Sequence, residues 1–229
     1  MIRDPEGIER QFLQNILGLS AGSVLEVGCG DGRLTEIISD VSSSIFALDP
    51  DRDSLDEARR LQGSRISLIL GSGEHLPLVD NSVDTVIFSL SLHHHPDPGS
   101  ALSQAHRVLR EGGCILVLEP EAEGPTNRLF RLIHNEDESY DRAIAAIETS
   151  RLETIEQGCY ETTWRFEGFD EMVRYLFQYF DKKPDREITD SMVQMLGDQR
   201  GSKPLDMIDI TRYWLLQSRP DIGGGQAPQ

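Results

Sequence analysis

The chain has 229 residues, 38% hydrophobic and 27% charged, with 22 Lys and Arg against 39 Asp and Glu for a formal net charge of −17. That length suits one domain with a helical elaboration, and such a surface repels phosphate backbones and anionic lipid, so nucleic acid is disfavoured as a partner. Cys29, Cys114 and Cys159 form neither a disulfide framework nor a CxxC pair, and no apolar run approaches the roughly 20 residues that span a bilayer. Reduced thiols and a cytoplasmic location are expected.

The first residues, MIRDPEGIERQF, mix charges and do not read as a signal peptide. Ile8, Phe12, Leu13, Ile16 and Leu17 have helical spacing, and Gly18 is placed to stop that helix. Val24 to Val27 is a short apolar strand running into Gly28, Gly30 and Gly32, after which Leu34, Ile37 and Ile38 resume helical spacing. Ser44 to Leu48 is a second strand ending at Asp49, and Asp53 is expected to cap a helix over DSLDEARRLQ. Ile66 to Leu70 and Val83 to Leu90 are the third and fourth strands. A helix from Pro98 to Leu109 leads to a fifth strand, Cys114 to Leu118. Strand and helix alternate with short connections through residue 120. That pattern predicts a parallel sheet with helices on both faces and ligands at the carboxyl ends of the strands.

The texture changes after Pro120. Thr126 to Ile133, Tyr140 to Ile155, Phe169 to Phe177 and Arg186 to Leu196 have helical patterns. Tyr160 to Phe166 reads as a strand or an extended connection. Ile208 to Leu216 is the best late strand, and the position of any strand before it stays open. Tyr160 and Trp164 could line a substrate pocket or serve the core, whereas Tyr213 and Trp214 read as core. The tail, DIGGGQAPQ, is expected to be disordered.

The chemistry-bearing residues fall at the ends of four successive strands. Glycines let backbone amides approach a ligand, and the following helix start favours negative charge. Glu26, just before the first glycine, suits a ligand with an ammonium group better than a pyrophosphate. Cys29 sits inside the turn, where its backbone matters more than its thiol. Asp49 is placed to accept hydrogen bonds from both ribose hydroxyls of a nucleoside, its alternative being a turn residue in DPDRD. Ser72, Gly73 and Glu74 follow the third strand, and Ser89 precedes His93, His94 and His95 after the fourth.

Taken in order, VLEVGCGDGRL, ALDPD, GSGEHLPLVDNSVDTVIFSLSLHH and RVLREGG resemble the class I S-adenosylmethionine-dependent methyltransferases over about residues 20 to 120. The resemblance implies a Rossmann-like, doubly wound, mostly parallel seven-stranded sheet with a helical cap inserted after the fifth strand. It implies S-adenosyl-L-methionine as cofactor. Glu26, Gly28, Gly30 and Gly32 would hold its methionine part, Asp49 its ribose, and Pro50, Ser72 and Gly73 its adenine. Many members have Asp where this chain has Ser72, so backbone groups or Glu74 would meet the adenine amino group. Ser89 would approach the cofactor amino group through its backbone.

The expected layout is an N-terminal helix contributing to the cap (1–19), a cofactor-binding core (20–120), a mainly helical substrate cap (121–207), the last strand (208–220) and the tail (221–229). The expected reaction is in-line methyl transfer to an O, N, S or C nucleophile of a small molecule, by a monomer or homodimer. His94 is the candidate general base, against a bland reading of the triplet as a loop packed under Pro96-Asp97-Pro98. No metal is expected, since adjacent side chains diverge and at most two of the three histidines could share an ion. Acidity in 121–207 (NEDESYD, Glu148, Glu153, Glu156) fits a solvated helix face or a cationic acceptor. A nicotinamide-dependent oxidoreductase fits less well, because Arg33 stands where the third glycine would be. A non-catalytic S-adenosylmethionine-binding module is the remaining alternative.

Overall fold

A computed structural model describes residues 1–18 and 22–218. The expected tail, 221–229, lies outside the described residues. Chain order begins β1 (Ile2–Arg3), α1 (Ile8–Leu17), β2 (Ser23–Val27), α2 (Arg33–Ile38), β3 (Ser44–Asp49), α3 (Arg52–Ala58), β4 (Ile66–Leu70) and β5 (Val83–Ser89). It continues α4 (Pro98–Val108), β6 (Leu109–Pro120), α5 (Pro125–Ile133), α6 (Asp137–Thr149), β7 (Leu152–Phe166), α7 (Phe169–Tyr179), α8 (Arg186–Leu196) and β8 (Leu205–Ser218).

One sheet of 8 strands runs β1-β7-β8-β6-β5-β2-β3-β4. β4, β3, β2, β5 and β6 pair in parallel, whereas β8, β7 and β1 extend the sheet antiparallel. The order reverses between β2 and β5, the switch point where open α/β sheets receive ligands. The expected count of seven strands is corrected to eight, because Ile2 and Arg3 pair with Arg165 and Trp164 and so add a short edge strand. The undecided partner of the last strand is β7, which runs antiparallel to β8 along nearly its whole length. Asp51, not Asp53, caps α3, its carboxylate accepting from the Asp53 and Ser54 amides.

Every residue of β2 is buried, because helices cover both faces. Leu25 and Val27 pack with Val86 and Phe88 against α4 and α6. Val24, with Ile45 and Ala47, packs against Leu13 of α1, Leu34 and Ile38 of α2, and Leu55 of α3. Glu26 alternates onto this second face and is buried there. A third cluster joins Leu129 of α5, Met172 and Leu176 of α7, and Met192 of α8 to Trp164, Phe166, Leu205 and Met207 on β7 and β8. Residues 121–207 thus supply four helices and also a long sheet strand. Among the described residues, no helix is long and apolar enough to cross a membrane.

Candidate active site

The turn after β2 is folded back on its neighbours. Gly28, Gly30 and Gly32 have φ of +78°, +54° and +87°. The Gly28 and Cys29 amides donate to the Leu48 carbonyl at 2.8 and 3.0 Å, and Ser91 Oγ donates to the Val27 carbonyl at 2.6 Å. A Cβ on Gly28 would lie 2.5 Å from the Ser91 Cβ, so this position has room for hydrogen only. The α2 helix has six residues, so the amides of the turn, and not a long helix dipole, supply its donors.

Asp49 terminates β3 facing this turn. Its Oδ2 accepts from the Gly30 amide and its Oδ1 from the Asp51 amide, both at 2.8 Å, which fixes the carboxylate while leaving lone pairs free. A cavity of about 780 Å³ opens beside it. Of the residues singled out in the sequence, Gly28, Gly30, Asp49, Pro50, Ser72, Gly73, Glu74, His94 and His95 line that cavity. Glu74 Oε1 is buried with no hydrogen-bond partner among the described residues, an acceptor in want of a donor. His95 is a packing residue. Its Nδ1 lies 2.9 Å from the Ser91 carbonyl, and its ring would be 2.3 Å from a Cβ on Gly73.

Glu26, Cys29, Gly32 and Ser89 are not among the lining residues. Cys29 is buried and its thiol is pushed well above the ordinary range by burial, so it is no nucleophile. Glu26 accepts a hydrogen bond from Thr35 Oγ1 and is wholly buried, which pushes its carboxyl from 4.5 to about 8. Arg33 next to it pairs with Glu9 of α1, and its other nitrogen reaches Ser89 Oγ at 3.5 Å. The Tyr160 hydroxyl also donates to Glu9, at 3.4 Å, and its ring stacks on Phe12 at 4.3 Å.

A second cavity, of about 260 Å³, is lined by residues from β1, α5, α6, α7, β7 and β8 together with His93 and His94. It shares Leu90 and His94 with the first, so these two residues form the partition. Leu90 has φ of +53°, a conformation that a bulky residue adopts only where its surroundings impose it. Its amide donates to the Leu118 carbonyl at 2.8 Å, which holds it at the edge of the sheet.

The site also holds a deeply buried polar pair, His93 with Glu119, that no motif in the sequence joins. His93 and Glu119 are 3% and 2% exposed. Glu119 Oε2 bonds His93 Nδ1, and Oε1 accepts from the His93 amide at 3.1 Å. With Nδ1 occupied, Nε2 is the nitrogen available to the cavity. The usable signal was the parallel pairing of Ser89 with Leu118, which sets residue 119 beside the loop that carries the histidines. His94 has an exposed side chain facing both cavities, lies 3.7 Å from Glu136, and is lowered to about 4 by partial desolvation and then by His93. Trp164 lines the second cavity and Tyr160 packs outside it; Trp214 is core, while the Tyr213 hydroxyl donates to Glu156 at 2.9 Å. One ligand atom each from His93, His94 and Glu136 lies within 4.8 Å of the others, a set able to approach a cation.

Residues 25–117 match a family model described as a methyltransferase domain. The chain is 39% identical over 106 residues to the malonyl-[acyl-carrier protein] O-methyltransferase of Yersinia pestis, covering 46% of this chain and 39% of that protein. It is 33% identical over 132 residues to a demethylmenaquinone methyltransferase of Staphylococcus epidermidis, covering 55% and 54%. The chain therefore spans about half or less of the length of these curated relatives. The solved structure of the YcgJ protein from Bacillus subtilis superposes with a TM-score of 0.65 at 16% identity, over 93% of this chain and 98% of that one. At that identity the likeness speaks for the fold.

Proposed function

We propose, from the premise that residues 25–117 are a class I S-adenosylmethionine-dependent methyltransferase domain, that this chain methylates a small molecule held in the second cavity. The observation that carries the reading is the pair of cavities meeting at Leu90 and His94, one beside the glycine turn and one beyond it. The cofactor, when bound, supplies a methyl group on a sulfonium, so the protein's tasks are positioning, exclusion of water and proton management.

The residues present fit that cofactor. Asp49 would receive the ribose hydroxyls and Pro50 would flank the adenine. The unpartnered Glu74 Oε1 offers the acceptor that Ser72 does not, supporting Glu74 as partner of the adenine amino group. Gly28, Gly30 and Gly73 keep the cavity open to backbone approach. Glu26, Cys29, Gly32 and Ser89 would act from behind the lining: Glu26 as the carboxylate for the ammonium end, Ser89 through its backbone, and Cys29 and Gly32 by shaping the turn.

Two histidines compete for the proton. His94 is mostly exposed, has no carboxylate at hydrogen-bond distance to orient it and is held below the usual imidazole range, so it suits a positioning role on the shared wall. His93 is the better candidate base. The buried Glu119 orients its imidazole and would stabilise the imidazolium formed on proton uptake, as a carboxylate does for a catalytic histidine elsewhere. Residues of α5, α6 and α7 line the second cavity, which supports residues 121–207 and the N-terminal segment as its cover.

The test is thermal denaturation with S-adenosylmethionine, S-adenosylhomocysteine, NAD and NADP. A ligand at about 100 times its Kd stabilises the fold by about 2.7 kcal/mol. The first two should raise the midpoint and the nicotinamide nucleotides should not; stabilisation by NADP alone would refute the assignment. Tight cofactor binding without S-adenosylhomocysteine release against any acceptor would convert the reading to a binding module.

A further inference from the structure

Resting on that reading, we infer that the methyl acceptor is a small amine, held as its ammonium by Glu136 among the aromatic walls of the second cavity.

The charges lining the cavity point to a cation. Of its two carboxylates, Asp209 is already served: it accepts from Trp164 Nε1 at 3.1 Å and faces Arg3 at 3.9 Å, and that guanidinium lies 5.1 Å above the Trp164 ring. Glu136 is different. It is largely buried and accepts from the Tyr140 hydroxyl at 3.2 Å, and among the described residues the basic nitrogens near it are those of His94 and His134, each at 3.7 Å. Among the described residues, no Lys or Arg bonds it. Burial also keeps the Tyr140 phenol protonated, so that hydroxyl stays a donor to the carboxylate and adds no charge. A carboxylate with a phenol hydroxyl on one side and a cavity on the other is completed by a positive ligand.

The walls agree. Phe130, Tyr179 and Phe180 meet with ring centroids 5.0 to 5.7 Å apart and line the cavity with Tyr140 and Trp164. Aromatic faces around a site attract an ammonium and its alkylated product alike. An anionic acceptor, a carboxylate or phenolate, would meet Glu136 and Asp209 on the wall and Glu119 behind His93, with Arg3 already paired.

The chemistry balances. The bound ammonium passes one N–H proton to His93 Nε2 and becomes a neutral amine. Its lone pair forms the N–CH₃ bond as the C–S bond breaks with its electron pair left on sulfur. The products are an N-methylammonium, the thioether S-adenosylhomocysteine and an imidazolium, which returns its proton to solvent.

The experiment is calorimetric titration of the full chain, saturated with S-adenosylhomocysteine, with matched probes: 2-phenylethylamine, 2-phenylethanol and phenylacetate, then butylamine, butanol and butyrate. A charge-assisted contact of this kind is expected to favour the amine of at least one set by about 10- to 100-fold. Glu136→Gln, nearly isosteric, should remove that preference and leave the affinity for S-adenosylmethionine unchanged; Tyr140→Phe should weaken it. An alcohol or acid that binds as tightly as its amine, an amine preference that survives Glu136→Gln, or no binding by any amine overturns the inference. If S-adenosylmethionine itself fails to bind, the underlying methyltransferase reading falls with it; if it binds and an alcohol is methylated, only the amine assignment falls.

Discussion

Glu26 makes the fold's stability report on a buried acid just before the glycine turn. Its carboxyl ionises near 8 in the folded protein because burial penalises the charge, against 4.5 ordinarily. Between those values the native state holds a proton that the unfolded chain has released. The stabilisation from this group is therefore complete below about pH 4.5 and is lost as pH rises through 8. At about 1.4 kcal/mol per pH unit, the native state loses about 4 kcal/mol between pH 5 and pH 9 through this group. Glu26→Gln keeps the shape and a partner for Thr35 but cannot ionise. Urea unfolding of both proteins at pH 5, 7 and 9 should show the wild type losing that much stability relative to the variant. Parallel pH profiles would refute the buried-acid argument. A companion measurement probes the proposed ammonium contact. At pH 7 most molecules carry the Glu26 proton, so a cofactor ammonium meeting this residue should expel about one proton, read as the dependence of binding heat on buffer ionisation enthalpy. Glu26→Gln should abolish it, and a wild type that releases no proton would remove Glu26 from the cofactor site.

Gly28→Ala combines positive φ with a Cβ 2.5 Å from that of Ser91; it should cost about 2–4 kcal/mol in urea unfolding, and a neutral effect would mean the turn can open. Asp49→Ala strips the acceptor from the Gly30 and Asp51 amides and the proposed ribose partner; calorimetry should show about 10- to 100-fold weaker S-adenosylmethionine binding, and unchanged affinity would cancel the ribose assignment. Glu119→Gln should lower kcat by about 100-fold or more while leaving cofactor Kd intact, whereas His94→Gln should change KM more than kcat; the reverse pattern would return the base role to His94.

The parallel half of the sheet was legible because β2, β3 and β5 are short apolar runs closed by a turn and followed by a helical period, and β4 and the second half of β6 are apolar runs of the same length, so local pattern and tertiary role agree. β7 was not. Its first half, LETIEQG, is mostly exposed and polar, and it is held by a ladder to β8 that no local pattern announces. The cofactor cavity was legible for a related reason: its residues come from successive strand ends on one edge, and motif spacing counts strands. Glu26 was legible as an oddity, but its complete burial, with Thr35 of α2 as hydrogen-bond partner and the Glu9–Arg33 pair nearby, is set by tertiary packing.

The acceptor cavity has a different origin, which explains why spacing says nothing about it. Pro120 at the end of β6 pairs with Thr211 on β8, which pairs with Tyr160 on β7. Two residues along the same ladder Thr162 faces Asp209, and Trp164 pairs with Arg3 on β1. The antiparallel extension thus carries the level of the parallel strands' carboxyl ends outward and sets Arg3, Trp164, Asp209 and Thr211 beside His93. These residues share no motif; they share a register. A slip of one residue along β8 would turn Asp209 and Thr211 to the opposite face and remove both from the polar lining of the cavity, while the glycine turn, Asp49 and Glu74, which depend on β2, β3 and β4, would keep their places. On the proposed reading, cofactor recognition and acceptor choice reside in separable halves of one sheet, joined at the Leu90 partition, and acceptor specificity would change through β7 and β8 without disturbing the cofactor cavity.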